Sequence, residues 1–183
     1  AAHVSNVLGL VNPVGELVRT ARKYGAYVHI DGAQGIVHSR VDVQALDCDF
    51  YSFSGHKVYA ATGTGILYGK KGILEQLPPW MGGGDMVDTV TYGKTTYAPL
   101  PLKFEAGTQN VIGVATLAPA LRFARSADTP EMEAYQRKIV EYMTEELHSV
   151  KGLRLYGDAP GKIPLFSFTV DGIHHSDIAT LLD

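Results

Sequence analysis

The chain has 183 residues, with 16 lysines and arginines against 19 aspartates and glutamates, and a formal net charge of −3. That mild acidic balance excludes broad binding to nucleic acid or to an anionic membrane surface. Hydrophobic residues make up 45% and charged residues 19%, the composition of a soluble globular protein.

A single cysteine, Cys48, rules out an intramolecular disulfide framework. No run reaches the ~18 apolar residues of a membrane span, and no basic stretch followed by an apolar core opens the chain, so a cytoplasmic location is the expectation.

Residues 1–8 read as strand and site with no helix, cap or turn before them, so the sequence is expected to begin inside a domain, as part of a longer protein. Asn12 followed by Pro13 reads as a helix start, with Asn12 as cap and Pro13 in the first turn. Val14, Leu17, Val18 and Ala21 follow at helical spacing, and Gly25 stops the helix. A strand over 26–30 then delivers Asp31, and a second over 50–53 delivers Ser54, His56 and Lys57. A helix set between strands is the pattern of a mostly parallel α/β sheet. In such sheets ligands gather outside the carboxyl ends of the strands, so neighbouring strands would aim an acid, a lysine and small polar donors at one pocket.

Beyond Lys57, Gly63 and Gly65 allow a close turn into a short strand over 66–68. A helix over 71–77 ends at Pro78 and Pro79. The stretch 80–107 reads as loop and hairpin, with glycines at 82–84 and β-prone Val90, Thr91, Thr95, Thr96 and Tyr97. An alanine-rich helix is expected over 111–127. Met132, Tyr135, Ile139, Tyr142, Met143, Leu147 and Val150 mark one face of a long amphipathic helix. Strands over 153–156 and 164–170 and a helix from His175 complete the chain. The boundary falls near 128, giving a larger α/β domain at 1–128 and the beginning of a smaller α+β domain at 129–183.

Each site residue also has a plainer reading. Lys57 could be a solvated surface lysine, Asp31 a turn former before glycine, Thr108 a helix-start residue, and Cys48 a packed thiol. His174 and His175 read as a helix-start pair on the surface. His29 and Asp31 alternate onto one strand face and, with His38 and His56, open a metal-hydrolase reading that leaves Lys57 without a role. One cofactor uses the whole set. Pyridoxal phosphate needs an amine for its aldehyde, a carboxylate that keeps its ring nitrogen protonated, and donors for its phosphate.

Five segments, HVSNVLG at 3–9, DGAQ at 31–34, DFYSFSGHKVYAATGTGILYG at 49–69, PPWMGGGDM at 78–86 and FEAGTQN at 104–110, occur in order. Together they resemble the class V aminotransferase family of fold-type I pyridoxal-phosphate enzymes, and within it the SufS-type cysteine desulfurases and selenocysteine lyases. The resemblance implies a fold-type I large domain, with Lys57 as the catalytic lysine that holds the cofactor aldehyde. It implies Asp31 on the ring nitrogen, Gln34 and Asn6 near the ring's phenolic oxygen, and Ser54 and His56 on the phosphate.

Thr108 would reach the phosphate of a partner subunit's cofactor, which implies a homodimer with shared sites. The implied activity is conversion of L-cysteine, or selenocysteine in some relatives, to L-alanine. The sulfur would pass as a persulfide to an acceptor protein for iron–sulfur cluster assembly. Cys48, in LDCDFY, does not match the persulfide cysteine of the family, and neither that cysteine nor the substrate-binding arginine can be placed among these residues. The 183 residues by themselves are therefore expected to be inactive. Another class V aminotransferase or epimerase, or a non-catalytic dimerising segment, are the alternatives.

Overall fold

In the computed structural model, which describes residues 1–183, the elements follow the expected order with instructive differences at their ends. Helix α1 spans Val14–Lys23 and takes Pro13, not Asn12, as its N-cap residue. The Asn12 side chain instead donates to the Ala2 carbonyl at 2.8 Å, tying the first residues of the chain to the start of the helix. Gly25, at φ +66°, adopts the left-handed conformation that turns the chain out of α1.

Strand β1 is confined to His29–Asp31, so Asp31 is its last residue rather than the residue after it. Ala26 is not free to join, because its N–H turns back to the Ala21 carbonyl at 3.1 Å. The Val28 N–H is taken by the Asp49 carboxylate at 2.7 Å. Two short helices follow, α2 at Gly35–His38 and α3 at Val43–Leu46, the second capped by Asp42.

Strand β2, Phe50–Ser54, runs into a 3-10 turn at Gly55–Val58, and β3 covers Gly65–Gly69. The sheet order is β1-β2-β3. β1 and β2 are parallel, with Asp31 opposite Ser52, and β3 adds an antiparallel edge. Ala2 extends the parallel part with a bridge to Asp31. Val14 and Val18 of α1 pack on Val28, Ile30, Cys48 and Tyr51 to form the main core. Each such side chain contributes about 1.5–3 kcal/mol on full burial.

Helix α4 covers Lys71–Gln76. The expected hairpin is present as β4, Val87–Val90, and β5, Thr95–Tyr97, with fully buried Met86 at its base accepting the Ala98 N–H at 2.9 Å. Helix α5, Val111–Ala127, is capped by Asn110, and α6, Pro130–Ser149, by Thr129. The apolar face assigned to α6 is left largely open: no residue of α6 is buried, and Tyr135 and Tyr142 are about 60% exposed.

Strands β6, Leu153–Tyr156, and β7, Ser167–Val170, form a separate antiparallel pair, and α7 spans His175–Leu182 with His174 as cap. β7 begins three residues later than expected. Pro164 has no N–H to give a ladder, and the Ile163 N–H goes to the Gly9 carbonyl at 2.9 Å. That bond, the Ser167 hydroxyl on the Val7 carbonyl, and an Arg40–Asp128 ion pair at 2.6 Å join the last third of the chain to the first.

Candidate active site

Because β1 and β2 are parallel neighbours, their carboxyl ends open on the same edge of the sheet. Asp31 ends β1. Its Oδ1 accepts the Ala33 N–H at 2.9 Å, while Oδ2 makes no hydrogen bond within the chain and the residue is exposed. Gln34 caps α2 and donates its side-chain amide to the Asn6 oxygen, so the turn after β1 and the turn after the first bridge meet at these two amides. At the end of β2, Ser54 is half-buried. His56 is exposed and Lys57 half-buried, both on the 3-10 turn.

That turn is packed from below. Gly55 is buried, and a Cβ there would stand 2.5 Å from the Thr64 hydroxyl and 2.9 Å from Leu117 of α5. Tyr59 leaves the turn at φ +69° with its ring edge-on to Phe123 of α5, the centroids 5.0 Å apart. The Ala61 N–H is held by the Thr116 hydroxyl at 2.9 Å. A residue at left-handed φ that is neither glycine nor asparagine persists only when its surroundings hold it. Here α5 does so, two residues beyond Lys57.

Thr108 is not in contact with these groups. It lies exposed on the loop before α5, fixed to the glycine stretch by the Gly107 N–H on the Gly84 carbonyl at 2.9 Å. The fold thus places five of the expected site residues, Asp31, Gln34, Ser54, His56 and Lys57, at two adjacent strand ends, brings Asn6 to them through Gln34, and leaves Thr108 on the loop before α5.

The histidine set of the hydrolase reading does not converge: no group of three His, Cys, Asp or Glu side chains is placed to hold a metal ion. His29 spends its Nε2 on the Ser52 hydroxyl at 2.8 Å. His38 ends α2, where burial holds its pKa below the usual histidine value. Cys48 is fully buried in the core, and its thiol is pushed up by burial first, with Lys70 pulling it down and Asp49 adding a smaller upward push.

Two residues that sequence reasoning left without a role lie directly under the DGAQ turn. Tyr51, 1% exposed, places its hydroxyl 3.0 Å from Nδ1 of His3, which is 7% exposed. The available signal was the alternation of β2, which sends Tyr51 inward. A cavity of about 820 Å³ between α6 and residues 158–164 is lined by His38, Arg137 and Lys162 and by none of the expected site residues.

The fold and the strand-end site together define an α/β protein of the fold-type I transferase class. The aminotransferase class-V family model matches residues 1–183, and the chain belongs to that family. It is 48% identical over 182 residues to a probable cysteine desulfurase of Vibrio cholerae, covering 100% of this chain and 45% of the relative. It is 44% identical to a cysteine desulfurase of Salmonella agona, covering 99% and 45%.

Among solved structures, the cysteine desulfurase CsdA of Escherichia coli superposes with a TM-score of 0.89 at 41% identity, over 99% of this chain and 45% of that one. The apo cysteine desulfurase of Thermococcus onnurineus gives 0.92 at 34% identity, over 100% and 46%. A C-DES mutant with glycine covalently linked to its PLP cofactor gives 0.84 at 26% identity, over 99% and 49%. The chain thus spans a little under half the length of the relatives it matches.

Proposed function

We propose that the protein to which these residues belong is a pyridoxal-phosphate-dependent cysteine desulfurase. In this reading the chain supplies the lysine, the ring-nitrogen carboxylate and most of the phosphate donors. The observation that carries it is the parallel pairing of β1 with β2, which opens the ends bearing Asp31 and Ser54–Lys57 on one edge. The donor chemistry fits the group: a free carboxylate oxygen on Asp31, a hydroxyl on Ser54, a ring nitrogen on His56 and an amine on Lys57 lie at adjoining strand ends, none of them spent on an ion pair. Bound there, pyridoxal phosphate would supply an electron sink for the carbon that bears the substrate amine.

Lys57 would hold the cofactor aldehyde and would take and return the proton at the substrate Cα. The Ala33 N–H fixes one oxygen of Asp31, and the free Oδ2 would serve the ring nitrogen. Ser54 and His56 would donate to phosphate. Asn6 and Gln34, already joined to each other, would serve the phenolic oxygen.

The same reading includes a homodimer in which Thr108 reaches the partner's phosphate, a sulfur-acceptor protein, a cytoplasmic location, and a division of the chain at 128. Support for the dimer comes from apolar side chains left open on the segments that flank Thr108 in sequence: Trp80, Tyr92 and Ile112 are each more than 80% exposed. Support for the division comes from the β6–β7 pair, which shares no ladder with the β1–β3 sheet. No helix is long and apolar enough to cross a membrane.

The test is borohydride reduction of the full-length protein after loading with pyridoxal phosphate, followed by peptide mapping and an assay of alanine release from cysteine. A pyridoxyl label on Lys57, lost with Lys57→Ala, together with alanine release is expected. A label on any other lysine would overturn the assignment.

A further inference from the structure

We propose that the buried Tyr51–His3 pair is a positioning device, a rigid floor that sets the direction of Asp31 and Gln34 by carrying the turn between them. The inference rests on the reading of Asp31 as the partner of the ring nitrogen.

The turn sits on the two rings with no methyl group between. A Cβ on Gly32 would lie 1.9 Å from the Tyr51 ring, and one on Gly35 would lie 2.5 Å from His3 Nδ1. The two rings stand edge to face, with centroids 6.0 Å apart and planes at 89°. Backbone bonds clamp the start of the turn from both sides. Asp31 donates to the Ala1 carbonyl and accepts from the His3 N–H, each at 2.8 Å, and Gly32 donates to Ser52 of β2 at 2.8 Å. His3 therefore holds Asp31 through its backbone and Gly35 through its ring. Tyr51 holds Gly32 through its ring and His3 through its hydroxyl.

The protonation states suit a floor beneath a working carboxylate. Burial lowers the pKa of His3. Burial, and then the charges of Cys48 and Asp31, raise that of Tyr51. Burial disfavours the charged form of each ring, and the 3.0 Å contact lets the phenol donate to Nδ1 when the imidazole proton is on Nε2. In that arrangement the pair adds no positive charge that would compete with the ring nitrogen for Asp31.

The experiment uses the full-length protein loaded with pyridoxal phosphate and reads two quantities: the pH midpoint of the bound cofactor's visible absorption band, and kcat and KM for cysteine. Tyr51→Phe keeps the ring under Gly32 and removes only the hydroxyl. It is expected to shift the midpoint and to lower kcat about tenfold with KM within about twofold, a fraction of the ~10²-fold cost of a 1 Å misplacement.

His3→Asn, which keeps an acceptor at the Nδ1 position, is expected to stay close to wild type, whereas His3→Leu should behave like Tyr51→Phe. That pair of variants decides the matter if Tyr51→Phe does not fold. Asp31→Asn is the control for the underlying reading. If it leaves band and turnover unchanged, the role of Asp31 fails and this inference with it. If it disturbs both while Tyr51→Phe and His3→Leu match wild type, the reading of Asp31 stands and the positioning role is overturned.

Discussion

Asp31 has one oxygen fixed by the Ala33 N–H and one free, so the substitution that keeps its shape and removes its charge isolates what the charge does. Asp31→Asn in the full-length protein is expected to retain cofactor and to lose turnover by ~10²-fold or more, the scale of a lost electrostatic partner at a reacting centre. Stopped-flow detection of Cα–H cleavage checks it, and a near-wild-type rate would remove Asp31 from the site.

Buried His3 and half-buried His38 make a second prediction. His3 and His38 both lie below the ordinary value of 6.5 because burial disfavours their charged forms. The unfolded chain therefore takes up protons first as pH falls. Their contribution to stability is complete above the unfolded value and is lost as pH drops through the folded one. Urea melts at steps from about pH 8 to 5 should show stability falling on the acid side. The slope should be shallower in His3→Asn. An unchanged slope in that variant would mean that His3 is not buried neutral.

At the scale of elements, the 3-10 turn that bears Lys57 depends on α5 more than on its own strand. Asn110 caps α5 by accepting the Gly113 N–H at 3.1 Å, and its amide lies 3.4 Å from the Gly63 carbonyl. One side chain thus fastens both the helix start and the loop that follows Lys57. Asn110→Ala is expected to cost about 1 kcal/mol from the lost cap. It should also loosen the 61–64 loop, seen as faster hydrogen exchange at Ala61 and Gly63 than the global loss of stability accounts for. Exchange that rises uniformly across the protein would show that the cap acts on α5 alone.

The whole chain leaves much apolar surface uncovered. Trp80 is 92% exposed, Ile112 83%, Tyr24 84% and Leu181 82%, and only 19 of 183 residues are buried. Contiguous exposed apolar surface drives association. Sedimentation velocity on the isolated 183-residue polypeptide is expected to show oligomers or aggregate, and a monodisperse monomer would contradict this. The same polypeptide should release no alanine from cysteine, because its only thiol, Cys48, is fully buried with its pKa raised. Turnover that survived Cys48→Ser would refute a persulfide route.

Much of this was legible without coordinates. The hairpin, α5, β6 and the ordering of strand and helix follow from local patterns, because β-prone runs, alanine-rich stretches and glycine stops act within a few residues of themselves. The position of Asp31, Ser54, His56 and Lys57 at strand ends was legible for a related reason: a strand that stops in polar residues declares its carboxyl end in its own sequence. What lay beyond reach were features set by residues far apart. β1 is short because Asp49 takes the Val28 N–H across 21 positions. β7 starts late because Ile163 bonds to Gly9.

Asn12 gave up the cap to reach Ala2. The meeting of Tyr51 with His3, 48 positions apart, is invisible to any local pattern. The sequence by itself determined which chemical groups the chain brings and on which kind of element. The tertiary structure alone decided which of them touch, because a hydrogen bond across the sheet is set by strand pairing and register, and those are properties of the folded chain as a whole.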